Sequence, residues 1–156
     1  RILQNLLNER VSIRDLPTIL EGISEACAFT RNVTQLTEHV RSRLARQISE
    51  QNSTEDNFIP LVTLSAEWEQ IFSDSILDQG EDKQLSMAPS QLQRFIGAVR
   101  TTLDELADKE DPPVVLTSPL ARPFVRSIIE RFSPTISIMS QNELHPKAKI
   151  KTLGQI

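Results

Sequence analysis

Between Val114 and Met139 the chain spells a strand, a helix and a strand in about the shortest span such a unit allows. This stretch constrains the fold more than any other. Val114-Val115-Leu116-Thr117 is an apolar run bounded by Pro112-Pro113 and Ser118-Pro119, which predicts a compact buried strand. Ser118 then caps, and Pro119 opens, a helix with Leu120, Phe124, Val125, Ile128, Ile129 and Phe132 inward. Ser133-Pro134 ends that helix, and Ile136 to Met139 forms the next strand. Two strands joined by a helical crossover pair in parallel, with right-handed connection.

The residues upstream extend this pattern. Phe58 to Leu64 is a short run rich in β-branched residues, and Pro60 within it predicts an edge strand. Ser65 is a good N-cap for a helix carrying Trp68, Ile71, Phe72 and Ile76. Asp78 to Gln84 reads as an acidic, Gly-containing loop. A helix over 88–108 has Pro89 in its first turn and Leu92, Phe95, Ile96, Val99, Leu103 and Leu106 on one face. A last strand is expected around 148–153. Helices and strands in this order make a small layered α/β unit.

The first fifty residues carry only the helical period. Ile2, Leu3, Leu6 and Leu7 predict a helix over 2–9 that ends near Val11. Ser12 and Asp15 have the outline of a capping box. If Asp15 is the cap instead, Pro17 falls in the first turn, where a missing N–H is harmless. Ile13, Leu16, Leu20 and Ile23 continue the helix to about Ala28, with Gly22 a tolerated weak point. Thr34 can cap the next helix, whose stripe is Leu36, Val40, Leu44 and Ile48, with Arg41, Arg43 and Arg46 off it. The polar, aperiodic stretch 51–57 is the best boundary in the chain. The expected class is therefore α+β: a small all-helical subdomain over 1–52, then a small α/β subdomain over 57–156 with a short, partly parallel sheet.

Composition removes several function classes. The 156 residues have a net charge of −4, against a nucleic-acid binder driven by phosphate attraction. Cys27 is the single cysteine, and the two histidines, His39 and His145, stand far apart in sequence, so neither a disulfide scaffold nor a zinc module is expected. D-x-D-x-D-G calcium spacing is missing from the acidic stretches 67–82 and 104–111. No cofactor or metal is expected. No run is long and apolar enough for a membrane span. The opening at Arg1, straight into a helical pattern, reads as a fragment of a longer protein.

Candidate chemistry is sparse. Ser118 stands at a strand-to-helix turn, but Leu-Thr-Ser-Pro-Leu is neither a nucleophile elbow nor a phosphate loop, so a plain cap fits better. His145 pairs on paper with Glu143 or Ser140 as a general base, against a surface turn before Pro146. His39 reads as a solvated helix residue and Cys27 as a small core residue. Arg122 and Arg126, one helical turn apart, form a candidate basic face for an acidic partner. With Glu130 they also make simple surface pairs. These residues describe a non-enzymatic module without naming what it binds.

Whole blocks of the sequence say more. Leu6-Leu-Asn-Glu-Arg-Val-Ser-Ile-Arg-Asp-Leu16 with Ile19-Leu-Glu21, Leu36 to Arg41 with Arg43 to Arg46, Ile59 to Leu64, Pro113 to Pro119 with Arg122, Ser140 to Leu144 and Ile150 to Ile156 occur in that order. Together they resemble the FlhA/LcrD/InvA family, the export-gate proteins of bacterial type III secretion. They are most similar to its flagellar branch, with the virulence injectisome branch as the alternative. The resemblance implies a parent with an N-terminal membrane portion and four cytosolic subdomains, of which this chain holds most of the third and the fourth. It implies a nine-membered ring on the cytoplasmic side of the inner membrane that receives chaperone–substrate complexes and other export-apparatus components. Membrane contact would come only through the missing N-terminal region. Arg14 and Asp15 are the expected ring-contact residues, since capping uses at most one of them; the alternative is a local capping and salt-bridge role.

Overall fold

In the computed structural model, β1 (Ile59–Thr63) sits inside a four-stranded sheet of order β5-β4-β1-β6. The structure describes residues 1–79, 82–109 and 111–156. Its partners are β4 (Val114–Thr117), which pairs in turn with β5 (Ile138–Ser140), and β6 (Ile150–Gln155). All three pairings are parallel. The parallel pairing expected for the unit 114–139 is present, with the second strand starting at Ile138.

The edge position expected for the Pro60 strand is not found, and hydrogen-bond parity explains why. The Ile59 N–H donates to Lys149 O on the β6 side, and the Leu64 N–H donates to Leu116 O on the β4 side. The N–H missing at Pro60 would thus face β4, but the first β4 pair is Leu61 with Val114. Proline stands where its neighbour has not yet begun, so no ladder bond is lost.

Side chains alternate across the strands and build a core on each face. One face places Val62, Val115 and Ile138 against α5 (Ala66–Ser75), α6 (Pro89–Glu105) and α7 (Arg122–Ile129). There Phe95 meets Trp68 and Phe72 edge-on, with ring centroids 5.2 and 4.9 Å apart. The other face places Ile59, Leu61, Val114 and Met139 against α1 (Ile2–Asn8), α2 (Leu16–Ala26), α3 (Val33–Arg43) and α4 (Ala45–Gln51). The helical residues before position 52 are thus the second cover of the sheet. The fold is mixed α+β, with seven α-helices among the described residues.

Local chemistry sets the helix ends. Asp15 caps α2: its Oδ1 accepts from the Thr18 N–H at 3.3 Å and its Oδ2 from the Thr18 hydroxyl at 2.7 Å, with Pro17 in the first turn. Ser65 caps α5 through the Trp68 N–H. Asn32, not Thr34, caps α3, accepting from the Gln35 N–H at 3.1 Å. The expected single stripe from Leu36 to Ile48 runs through two helices, broken at Leu44 (φ −98°, ψ 19°), yet all four apolar residues stay buried. Gly22 is the close approach of α2 to α3: an added Cβ would stand 3.3 Å from Val40 Cγ2. Arg10 follows α1 at φ 62°, and the Val11 N–H returns to Leu6 O at 2.9 Å, a left-handed helix stop that usually carries glycine.

Two further expectations change. The segment read as a loop contains the hairpin β2 (Ile76–Gln79) and β3 (Asp82–Leu85), residues 80 and 81 lying outside the described residues. The Asp82 carboxylate accepts from Asn32 Nδ2 at 2.9 Å, which ties the hairpin to the α3 cap. Ser118 does not open a helix directly. Its Oγ accepts from the Ala121 N–H at 3.2 Å across a turn, and α7 begins at Arg122.

Candidate functional site

Where α1, α3, α7 and the 3₁₀ turn Gln141–Glu143 meet, the structure gathers three arginines and three glutamates, of which Arg41, Arg122 and Glu143 are buried. Arg122 lies at the centre, its side chain 1% exposed. Its Nη1 and Nη2 donate to Glu9 at 2.9 and 2.7 Å. Its Nε and Nη2 donate to Glu38 at 2.7 and 3.0 Å, and Nη1 also reaches Ile138 O at 2.9 Å. All five guanidinium N–H groups therefore have acceptors.

Arg41 makes a second bidentate pair with Glu143, at 3.1 Å from Nε and 2.7 Å from Nη2. The Ser140 hydroxyl adds a donor to Glu143 Oε2 at 3.2 Å. Arg41 Nη1 is 3.7 Å from Glu9 Oε2, which joins the two pairs into one network. Arg126 stands at the rim, 3.6 Å from Glu9 and 3.4 Å from Glu130.

Charge balance makes this burial tolerable: a lone buried ion is expelled or neutralised, whereas matched forks satisfy each other. Burial pushes the Glu9 carboxyl up, but the hydrogen bond and charge of Arg122, with the charges of Arg41 and Arg126, outweigh it and hold Glu9 below its ordinary value. At Glu38 burial prevails over the pull of Arg122, and the charge of Glu143 adds to the rise. Burial works to lower the Arg122 value, yet Glu38, Glu9 and Glu143 raise it well above the ordinary range. The arrangement holds charge in place and fastens the helices to the sheet. Ser49 adds to the fastening, donating from Oγ to Glu143 O and accepting the His145 N–H at 2.9 Å.

The expected basic face at Arg122 and Arg126 is therefore corrected. Arg122 is enclosed, and Arg126, 14% exposed, is committed to carboxylates. The amphipathic pattern of α7 gave no sign of this, because the acids that enclose Arg122 come from positions 9 and 38. Arg41 was also missed. It lies four residues after Thr37 and three before Leu44, both buried, so helical spacing alone could have placed it inward.

The other candidates do not come together. Ser118 and His145 share no hydrogen bond among the described residues, and Glu143 and Ser140 are engaged with Arg41 and each other. His145 Nδ1 accepts from the Lys147 N–H at 3.2 Å in the turn before β6. His39 lies 3.5 Å from Glu25 and edge-on to Phe29. Cys27 is half-buried, beside the core residue Ala26. Of the acidic residues, Glu69 has a structural role, accepting from Thr117 Oγ1 at 2.8 Å and the Ser118 N–H at 3.2 Å. Glu81 and Glu110 lie outside the described residues. Arg14 and Asp15 are exposed, and Arg14 has no ion pair among the described residues.

Comparison with known proteins gives these contacts a family. Residues 1–149 match the FHIPEP family. The chain belongs to that family. Over all 156 residues this FHIPEP chain is 54% identical to the flagellar biosynthesis protein FlhA of Caulobacter vibrioides, covering 22% of that protein. The chain thus spans about a fifth of the length of the curated relatives it matches. Its fold is shared with the C-terminal domain of InvA (TM-score 0.90, 28% identity, 99% of this chain and 47% of that one). It is also shared with nonameric EPEC SctV-C (TM-score 0.86, 28% identity, 99% and 46%). The FHIPEP relatives include flagellar and type III secretion proteins.

Proposed function

We propose that this chain is the cytosolic C-terminal part of a flagellar type III protein export gate. It serves as a non-enzymatic docking and ring-assembly platform for chaperone–substrate complexes and other export-apparatus components. The observation that carries this reading is the 54% identity to a flagellar FlhA along the entire chain. The nonameric state of a neighbour with the same fold supports ring assembly. In this reading residues 1–52 and 57–156 correspond to the third and fourth cytosolic subdomains. The parent protein is integral to the inner membrane, and this part lies on its cytoplasmic side. Among the described residues no helix is long and apolar enough to cross a membrane.

Arg14 and Asp15 are the proposed ring contacts. On the helix that Asp15 caps, Leu16 and Leu20 are 44% and 61% exposed and one turn apart. Apolar residues beside the exposed Arg14 make a surface suited to a head-to-tail neighbour. The equivalent role in a virulence injectisome is the second reading, favoured by solved structures such as that of InvA at 28% identity. A pull-down of the complete cytosolic portion against flagellar chaperone–cargo pairs, beside injectisome pairs, tests both. Capture of flagellar pairs alone is expected, and capture of neither set would remove the docking role.

A further inference from the structure

Among the described residues, strand β6 pairs with β1 on one side only. Ile59 faces Ile150 in a parallel ladder, and its N–H donates to Lys149 O. In that geometry Ile59 bonds to the residues on either side of Ile150, so the N–H and C=O of Ile150 and Thr152 point away from β1. Such an edge is a template for one more strand. It is also accessible, with Ile150 itself 52% exposed.

The entrance to this edge carries exposed lysines. A recess of about 470 Å³ between α4 and residues 145–149 is lined by Arg46, Glu50, His145, Lys147 and Lys149. Glu50 is taken by Arg46 at 3.2 Å. Lys147 and Lys149 are exposed and have no carboxylate partner among the described residues. Lys151 continues the row on the Lys149 face, its Nζ 5.5 Å from the centre of the Phe58 ring. This concentration of cations stands out in a chain whose net charge is −4.

We infer that β6 and this recess form a docking edge for an extended acidic peptide, which adds as a strand beside β6. Backbone groups of Ile150 and Thr152 supply the hydrogen bonds. Carboxylates at alternate peptide positions lie on the face of Lys149 and Lys151, and apolar side chains at the intervening positions lie on the face of Ile150. This surface includes neither Arg14 nor Asp15, the proposed ring contacts. It can be measured on the 156-residue chain alone.

The test is a fluorescence-polarisation titration with a labelled heptapeptide of alternating Glu and Val. Saturable binding is expected, weakening at least tenfold in the Lys147→Glu, Lys149→Glu double variant while the thermal melt is unchanged. At least one of the two alternately N-methylated forms of the peptide is expected to lose binding as strongly. Four results would each overturn the inference: no binding up to millimolar peptide, equal binding of a Lys/Val heptapeptide, full binding of both N-methylated forms, or sedimentation showing that the edge is occupied by a second copy of the chain.

Discussion

Arg122 grips Glu9 with two hydrogen bonds, 2.9 and 2.7 Å long, across 113 residues of chain. One partner directly follows the first helix and the other belongs to the crossover between β4 and β5. The sheet and its helical cover are thereby registered by directional contacts as well as by apolar packing. Replacing Arg122 by Met leaves the largely covered Glu9 and Glu38 without their main counter-ion. The expected loss is about 3–5 kcal/mol, read from urea denaturation. Arg126→Met, at the rim, should lose roughly 1 kcal/mol or less.

Acid should weaken the fold through Glu9. Its carboxyl is held below the ordinary value, so the folded state sheds that proton more readily than the unfolded state. The contribution is complete above about pH 5 and is lost as pH falls through the lower folded value. Glu38 has the opposite sign: its raised value makes the folded state keep a proton longer, so stability declines as pH climbs through that window. Denaturation midpoints measured at successive pH values should show the acid limb flattened in Glu9→Gln. An unchanged acid limb would remove the linkage.

Arg10 is exposed and left-handed at φ 62°. Glycine takes that conformation without the crowding of a Cβ. Arg10→Gly should therefore stabilise by about 0.5–1 kcal/mol, visible as a higher thermal midpoint, although the substitution removes a charge and a side chain.

The portion 57–156 should not fold stably alone. Without the helices before it, Ile59, Leu61, Val114 and Met139 lose their cover. Burial of such side chains contributes roughly 1.5–3 kcal/mol each. Dye binding to exposed apolar surface and collapsed proton shift dispersion are the expected signs. A sharp, cooperative melt of that portion would contradict the shared core.

Reversing charge singly at Arg14 and Asp15 in the complete cytosolic portion should lower the sedimentation coefficient of the assembly. For Asp15 the lost cap is expected to reduce stability by about 1 kcal/mol as well, so Arg14→Glu is the cleaner probe. Unchanged assembly in both variants would discard these contacts.

Apolar periodicity made the crossover unit and the aromatic face of α6 legible, because burial repeats with the helix or strand period. Cap chemistry made Asp15 and Ser65 legible, because those bonds are local. What periodicity hid was everything decided by distant chain. Pro60 looked like an edge residue until the late start of β4 beside it was visible. Arg122 looked like a surface cation because its acids lie far upstream. The hairpin after α5 was hidden by its own polarity. Asp82, Lys83 and Gln84 are exposed and show no apolar alternation.

The placement of β1 also has a temporal consequence. Its two neighbours are drawn from residues 114–117 and 150–155, and the Ile156 N–H closes onto Thr63 O. During synthesis the middle of the sheet must wait for almost ninety further residues before both flanks exist. Assembly of this region should therefore be slow compared with that of the helices, as long-range parallel pairing requires. In the interval the unpaired strand is a point of vulnerability to aggregation or to protective binding by other factors in the cell.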